Sequence, residues 1–475
     1  MKKHIILIQS DQHNANILGC YGDKYVRTPN LDKMAEQGVQ FNNCYCPSPL
    51  CVPSRISMMS GVLPSRTGVW TNEQSLHSDT PTFAHSLAIA GYETTLVGRM
   101  HFVGPDQRHG FMNRLVGDVC PTQLGVAGVD TYGVLGNTSG ATRVAVEKSG
   151  SGNSKVLEYD RAVEHGACEY FESINEESKS QFITIGFYGP HCPFVGRKDL
   201  YEYYYNILPE PDEGPWDLHP YTKEFIERCG LENFKTEDLK RVKAAYYAMV
   251  EELDEHIGVL LNKIEETLGL ENTLVIYTSD HGEMMGEKGL ICKTHFYDSS
   301  AKVPFIVQGR KVEGRKVESP TSLLDLAPTL IEYANAPKLS RTDGENILPL
   351  IENSEKSTSD RIVISQFATT VDGYVSGMAR KGDWKYVYYH GYDYPQLFNL
   401  KDDPKELNDL GKNAEYADLI FELKTELDKF WDPDKIKEDA IRSWGESRLI
   451  HKFNKAAGIK DPEAWECKSE VNYLD

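Results

Sequence analysis

Residues 47–61 read PSPLCVPSRISMMSG and bring a thiol, a hydroxyl and a guanidinium together at Cys51, Ser54 and Arg55. If a helix starts here, Cys51 stands at its positive end, where an anion is favoured and a thiol pKa falls. Arg55, one turn on, adds charge and a bidentate fork for an oxyanion. This spacing fits an activated nucleophile, and it fits a buried structural thiol equally well.

Four further clusters carry chemistry. Asp11 and Asp280 each close an apolar, strand-like run, and each has a neighbour able to ligate, Gln12 and His281. Ligands bind beyond the carboxyl ends of strands in open α/β sheets, so these four residues can converge on one divalent metal. The alternative is two unrelated aspartates that cap a turn and a helix. LVGRMHFVGPDQRHGF (residues 96–111) sets Arg99, His101, Arg108 and His109 among glycines after a strand, a composition suited to an anion. GFYGPHCPF (186–194) places His191 beside two prolines, and 279–307 places Lys293 and His295 a short loop after Asp280. Taken singly, His191 reads as a structural histidine and Lys293 as a surface lysine.

The elements that must hold these residues alternate. Strands are predicted over 4–10, 39–45, 93–98, 182–189 and 272–280, and helices over 29–38 and 82–92. The longest helix is predicted over 236–268, where Leu239, Val242, Tyr246, Met249, Leu253, Ile257, Leu260, Ile264 and Leu268 recur every three or four positions. This pattern predicts an α/β fold with a large, mostly parallel sheet flanked by helices. Residues 118–158 have no clean period and read as a long insertion or loop that shapes a pocket. After the polar STSDR (357–361), short alternating runs predict a small antiparallel sheet, followed by a helix over about 414–430 and a charged tail. The expected organisation is a catalytic domain over 1–352 and an α+β subdomain over 353–475.

The 475-residue chain has 40% hydrophobic residues, 26% charged residues and a formal net charge of −20, as expected of a globular protein without a nucleic-acid or anionic-membrane partner. No run is long and apolar enough to span a bilayer, and the first apolar stretch is too short for a signal-peptide core. A cytoplasmic location is the expectation. The ten cysteines show no framework spacing and are expected to be reduced.

Read together and in order, LIQSDQ, TPNLDKMAEQGVQFNNCYCPSPLCVPSR, GRMHFVGP, PHCPF, YTSDHGEMMGEKGL and QLFNLKDDPKELNDL resemble segments of the sulfatases of the alkaline-phosphatase superfamily, across most of residues 4–400. The resemblance implies that Cys51, within Cys-x-Pro-Ser-Arg, is oxidised to a formylglycine by a formylglycine-generating or anaerobic sulfatase-maturating enzyme. The hydrated aldehyde would attack sulfur and later release sulfate by collapse, an exit that serine and cysteine lack. It also implies one divalent metal held by Asp11, Gln12, Cys51, Asp280 and His281, usually calcium. Arg55, His101, His191 and Lys293 are implied as catalytic, with Arg99 and His295 as substrate-binding.

Two departures stand out. Lysine is usual where this chain has Arg99, which keeps the charge but cannot donate a proton. His281 stands where asparagine is common, which leaves manganese or zinc open. His281 and MHFVGPDQRHGF also resemble the choline-sulfatase and phosphonate-monoester-hydrolase branch. The expected activity is hydrolysis of a sulfate monoester of a small carbohydrate or aryl compound. A phosphonate monoester or phosphodiester hydrolase and a non-catalytic sulfate-ester binder are the alternatives. Oligomeric state is left open.

Overall fold

In the computed structural model the described residues are 3–126, 133–211, 214, 216–353, 360–369, 373–460, 463–467 and 469–475. The main sheet has eight strands: β1 (His4–Asp11), β2 (Val39–Phe41), β3 (Glu93–Gly98), β4 (Asn113–Leu115), β5 (Gln181–Pro190), β6 (Thr273–Ser279), β7 (Phe305–Gly309) and β8 (Arg315–Val317). Their spatial order is β8-β2-β7-β6-β1-β5-β3-β4. All neighbours are parallel except β7, which runs antiparallel to both β6 and β2.

The sequence HIILIQSD puts β1 near the middle because it is apolar on both faces. Ile5 and Leu7 point into one core, with Val52, Ile56, Met58 and Met59 of helix α2 (Cys51–Ser60). Ile6 and Ile8 point into the other. There they meet Leu31 and Met34 of α1 (Pro29–Gln37), Val156 and Val163 of α3 (Lys155–Ser173), and Leu253, Ile257, Leu260 and Ile264 of α4 (Thr236–Thr267). Each buried aliphatic side chain contributes about 1.5–3 kcal/mol relative to exposure, so a charge at Ile6 would remove a large share of the domain's stability. The later half of the predicted 236–268 stripe is this face of α4; from its first half, Val242 and Tyr246 pack in a separate cluster with Phe194 and Tyr204, and Leu239 is half-buried.

The expected 39–45 strand is instead two. Val39–Phe41 joins the main sheet, whereas Cys44–Tyr45 lies in a separate three-stranded sheet with Lys302–Val303 and Thr321–Ser322. Between them the Asn42 and Asn43 side chains donate to the carboxylate and the carbonyl of Glu318, and the chain bends.

The C-terminal sheet is antiparallel in chain order: β9 (Ile362–Ala368), β10 (Val375–Lys381), β11 (Trp384–Tyr389) and β12 (Gln396–Asn399). The helix expected over 414–430 is α5 (Ala417–Asp428). The expected charged tail begins with another helix, α6 (Pro433–Ala457), capped by the Asp432 carboxylate accepting from the Lys435 N–H. Beyond it the chain leaves the C-terminal sheet. Tyr473–Leu474 pairs with the Gly150–Asn153 strand, and Ala464 bridges to Asp118. Part of the 118–158 segment is therefore regular, with Arg143–Glu147 helical, while 127–132 lie outside the described residues, as do 357–359 of STSDR. Among the described residues no helix is long and apolar enough to cross a membrane.

Candidate active site

Four adjacent parallel strands, β6, β1, β5 and β3, end on one side of the sheet, and the chemically active residues stand at those ends. Asp11 is the last residue of β1, Asp280 and His281 follow β6, Arg99 and His101 follow β3, and His191 follows β5. Close approach requires glycine at 186: a Cβ there would lie 1.7 Å from the Arg99 carbonyl oxygen, and the Arg99 N–H donates to the Gly186 carbonyl at 2.8 Å. Cys51 opens the fully buried α2. The α2 hydroxyl of Ser54 donates to the Asp280 carbonyl at 2.6 Å and fixes the helix against the β6 end.

Asp11, Cys51, Asp280 and His281 are all buried, and one ligating atom from each lies within 4.8 Å of the other three. The donors suit a dication. Nδ1 of His281 is 3.0 Å from the Gly282 carbonyl, which takes its proton and leaves Nε2 as a lone-pair donor facing Cys51 Sγ at 3.3 Å. Two carboxylates supply the negative charge. The adjoining Gln12, in a left-handed conformation (φ 67°), is held by Glu283, whose Oε2 accepts from Gln12 Nε2 at 2.5 Å. Burial raises the Glu283 carboxyl to about 7.

Arg55 is buried between the carboxylates, with Nε donating to Asp280 at 2.8 Å and Nη2 to Asp11 at 3.1 Å. Arg99 donates to the same Asp11 oxygen at 2.7 Å. Burial and Cys51 push the Asp11 carboxyl up, yet the Arg99 and Arg55 guanidiniums outweigh them and hold it well below the usual range. Burial likewise raises the Cys51 thiol, but the Lys293 ammonium beside it brings it well below its ordinary value. Lys293 Nζ lies 3.1 Å from Cys51 Sγ, 2.8 Å from Gln12 Oε1 and 2.6 Å from His191 Nε2. Arg99 Nη2 reaches His101 Nδ1 at 2.7 Å. Because a guanidinium only donates, Nδ1 accepts and the neutral ring carries its proton on Nε2.

Cys51, Arg99, His101, His191 and Lys293 line one cavity of about 280 Å³. Leu50, Asn72, Ser139, Gly140, Ala141, Tyr188 and Thr294 complete much of its wall. Residues 139–141 come from the segment expected to shape a pocket.

His295 does not belong to this group. It is buried against Tyr221, Phe225 and Tyr297 at ring-centroid distances of 5.3, 4.8 and 6.2 Å, so the substrate-binding expectation for it is corrected. Thr294 between it and Lys293 has φ 79°, and the turn sends the two side chains apart. Burial depresses the His295 imidazole to about 3. His109 also turns from the cavity, stacking edge-on to Phe102 at 4.7 Å, and Arg108 donates to the Met112 carbonyl.

Sequence reasoning missed Asp118, Cys120 and Glu283. Asp118 accepts from Arg99 Nη1 at 2.9 Å, Cys120 Sγ lies 3.0 Å from that same nitrogen, and Glu283 holds Gln12. Asp118 and Cys120 lay in a stretch without periodicity. Glu283 sat three residues past Asp280 in SDHGEMMG, where a carboxylate between glycines was the available signal.

The model of the Sulfatase family matches residues 3–336, and that of the C-terminal region of N-sulphoglucosamine sulphohydrolase matches 286–432. The chain belongs to the sulfatase family. A choline-sulfatase of Rhizobium meliloti is 35% identical over 436 residues, which is 87% of this chain and 83% of the relative. A structure solved with D-glucosamine-2-N,6-O-disulfate as its substrate superposes with TM-score 0.73 at 22% identity, covering 92% of this chain and 99% of that one. A phosphonate monoester hydrolase of Agrobacterium radiobacter gives 0.72 at 22% identity, covering 90% and 95%. The protein is thus a sulfuric ester hydrolase on the alkaline-phosphatase-like sulfatase fold, and its family implies a formylglycine and a metal.

Proposed function

We propose that this protein hydrolyses the sulfate monoester of a small, uncharged, hydroxyl-rich compound, a carbohydrate before an aryl alcohol, using a formylglycine made from Cys51 and one divalent metal. The observation that carries the reading is the position of Cys51. Its sulfur lies 3.3 Å from His281 Nε2 on the metal-ligating side and 3.1 Å from Lys293 Nζ on the cavity side.

The residues have separate tasks. Asp11, Gln12, Asp280 and His281 would hold the metal, calcium in this reading, and when bound it would supply Lewis acidity. Arg55 keeps the two carboxylates in place. Arg99 binds sulfate oxygens as a fixed positive charge. His101, held by Arg99 through Nδ1, offers its Nε2–H at the cavity end as a hydrogen-bond donor to a sulfate oxygen. Lys293 donates a proton to the departing alcohol oxygen, and His191 orients its ammonium.

The wall supports the substrate class. Among the described residues it offers the amide of Asn72 and the hydroxyls of Ser139 and Thr294, and no carboxylate beyond the metal group. A quaternary ammonium is recognised by aromatic faces or a carboxylate. The described aromatic here, Tyr188, has the Arg99 guanidinium 4.7 Å from its ring centroid.

The test has two arms. Mass spectrometry of residues 47–55 reads conversion of Cys51, and turnover of nitrophenyl sulfate is compared between the matured enzyme and Cys51→Ala. Undiminished turnover in Cys51→Ala sinks the mechanism. A kcat/KM for choline sulfate above that for monosaccharide sulfates overturns the substrate class, and a higher value for phosphonate monoesters overturns the choice of ester.

A further inference from the structure

Asp118 is fully buried three residues after β4, and one carboxylate there serves two residues of the site. Its Oδ1 accepts from Arg99 Nη1 at 2.9 Å and from the Cys120 N–H at 3.0 Å, while Oδ2 accepts from the His101 N–H at 2.9 Å. His101 needs this bond. Its backbone is left-handed, with φ 57°, a conformation that costs a non-glycine residue on the order of 1 kcal/mol or more and persists where neighbours impose it. Arg99 needs it too, because its guanidinium must lie in one plane to reach Asp11 and His101 Nδ1 together. Burial raises the Asp118 carboxyl, but the Arg99 and Arg114 guanidiniums bring it below its usual value.

Asp118 is in turn held by the end of the chain. Its N–H donates to the Glu463 carbonyl at 2.8 Å, and the Trp465 N–H donates to its carbonyl at 2.8 Å, forming a parallel bridge centred on Ala464. The Trp465 ring meets Tyr159 edge-on at 5.3 Å, and the Tyr159 hydroxyl donates to the Gly117 carbonyl at 2.8 Å. Glu463 also lies 3.8 Å from Arg114, the other cation near Asp118. Contact at Gly117 leaves no room for a side chain: a Cβ would stand 2.0 Å from the Glu463 carbonyl oxygen.

We propose that Asp118 is a positioning residue for sulfate-ester hydrolysis, setting Arg99 and His101 together, and that residues 463–465 complete the site's frame by fixing Asp118. The inference rests on the roles assigned above to Arg99 and His101. The C-terminal segment touches no substrate; it acts through two backbone hydrogen bonds, one packed tryptophan and one carboxylate.

The full-length, matured enzyme tests this with Asp118→Ala, Asp118→Asn and Gly117→Ala, and with Cys51→Ala as the inactive reference. The readouts are kcat, KM, direct binding of inorganic sulfate, and the thermal midpoint. Loss of outer-shell partners typically costs about 10- to 100-fold in activity, and Asp118→Ala is expected to lose that much in kcat/KM and to bind sulfate more weakly. Asp118→Asn keeps an acceptor for the His101 N–H, so it recovers kcat in part while sulfate binding stays weak. Gly117→Ala leaves the carboxylate intact, displaces Glu463 and shifts both parameters in the same direction; it covers the case in which Asp118→Ala does not fold. Wild-type kcat and sulfate affinity in Gly117→Ala and Asp118→Asn, or a fall in thermal midpoint alone, overturn the proposal while Cys51→Ala is inactive. Full turnover in Cys51→Ala instead overturns the reading of the site, and the roles of Arg99 and His101 with it.

Discussion

Nζ of Lys293 lies 2.6 Å from Nε2 of His191, and the opposite ring nitrogen of His191 is 2.8 Å from the Cys192 carbonyl. An ammonium has no acceptor, so Nε2 accepts and the histidine proton sits on Nδ1, bonded to the backbone. Burial would lower the Lys293 ammonium, but Cys51 and Asp11 raise it, so the lysine remains the charged member of the pair. The acid in this pair is the lysine.

Replacing Lys293 with alanine should therefore depend on the leaving group. General-acid assistance is worth about 10²–10⁴-fold, and that loss in kcat is expected for an alkyl or sugar sulfate. Nitrophenolate leaves without a proton, so nitrophenyl sulfate should suffer far less. Equal losses on both substrates would remove Lys293 from the proton-donor role.

The buried Asp11–Cys51–Asp280–His281 group predicts metal-dependent stability. After chelation, adding back a dication at 100-fold its Kd should stabilise the fold by about 2.7 kcal/mol, read as a rise in thermal midpoint. His281→Asn should strengthen the binding of calcium relative to manganese and zinc, checked by elemental analysis and by midpoint titrations with each metal. A midpoint indifferent to every divalent cation would contradict the ligand assignment.

Gly186 predicts a severe point variant. Alanine there would place its Cβ 1.7 Å from the Arg99 carbonyl oxygen, a contact that neither backbone can absorb without moving. The β3–β5 pairing and the Arg99 turn must separate, and the cost is expected to exceed about 3 kcal/mol. Urea denaturation of Gly186→Ala checks it, and wild-type stability would show that the turn is pliant.

His295 predicts part of the acid limb of stability. Its folded pKa, about 3, lies below the ordinary 6.5, so the unfolded chain binds the proton more readily. The stabilisation is complete above about 6.5 and is lost as pH falls towards 3, with a slope of up to about 1.4 kcal/mol per pH unit. His295→Phe, which keeps the ring packing, should flatten stability between pH 6 and 4. Urea midpoints at pH 7, 6, 5 and 4 measure it; parallel curves for both proteins would refute the assignment.

What was legible in the sequence was what repeats locally. The both-faced apolar runs of β1, β5 and β6 and the three-and-four spacing of α4 follow from burial on known faces, and strand ends then located Asp11, Asp280, Arg99 and His191. The α6 helix escaped because Leu449 and Phe453 are 70% and 63% exposed, which blurs its polar face. His295 misled because one left-handed residue, Thr294, separates it from Lys293, and a turn of that kind leaves no periodic trace. Asp118 was unreadable for a different reason: its partners lie at positions 99, 101 and 463–465, and its importance is tertiary.

Arg55, Arg99 and Lys293 face Asp11, Asp118 and Asp280 around Cys51, three formal positive charges against three negative, in a chain whose total is −20. With residue 51 matured to an uncharged aldehyde, these six charges cancel and by themselves offer an anion little net attraction. A bound dication would turn the centre into a local excess of two positive charges. Metal and sulfate should therefore strengthen each other's binding by the same factor, a reciprocity that linkage requires. Scarcity of either one would then leave the other loosely held.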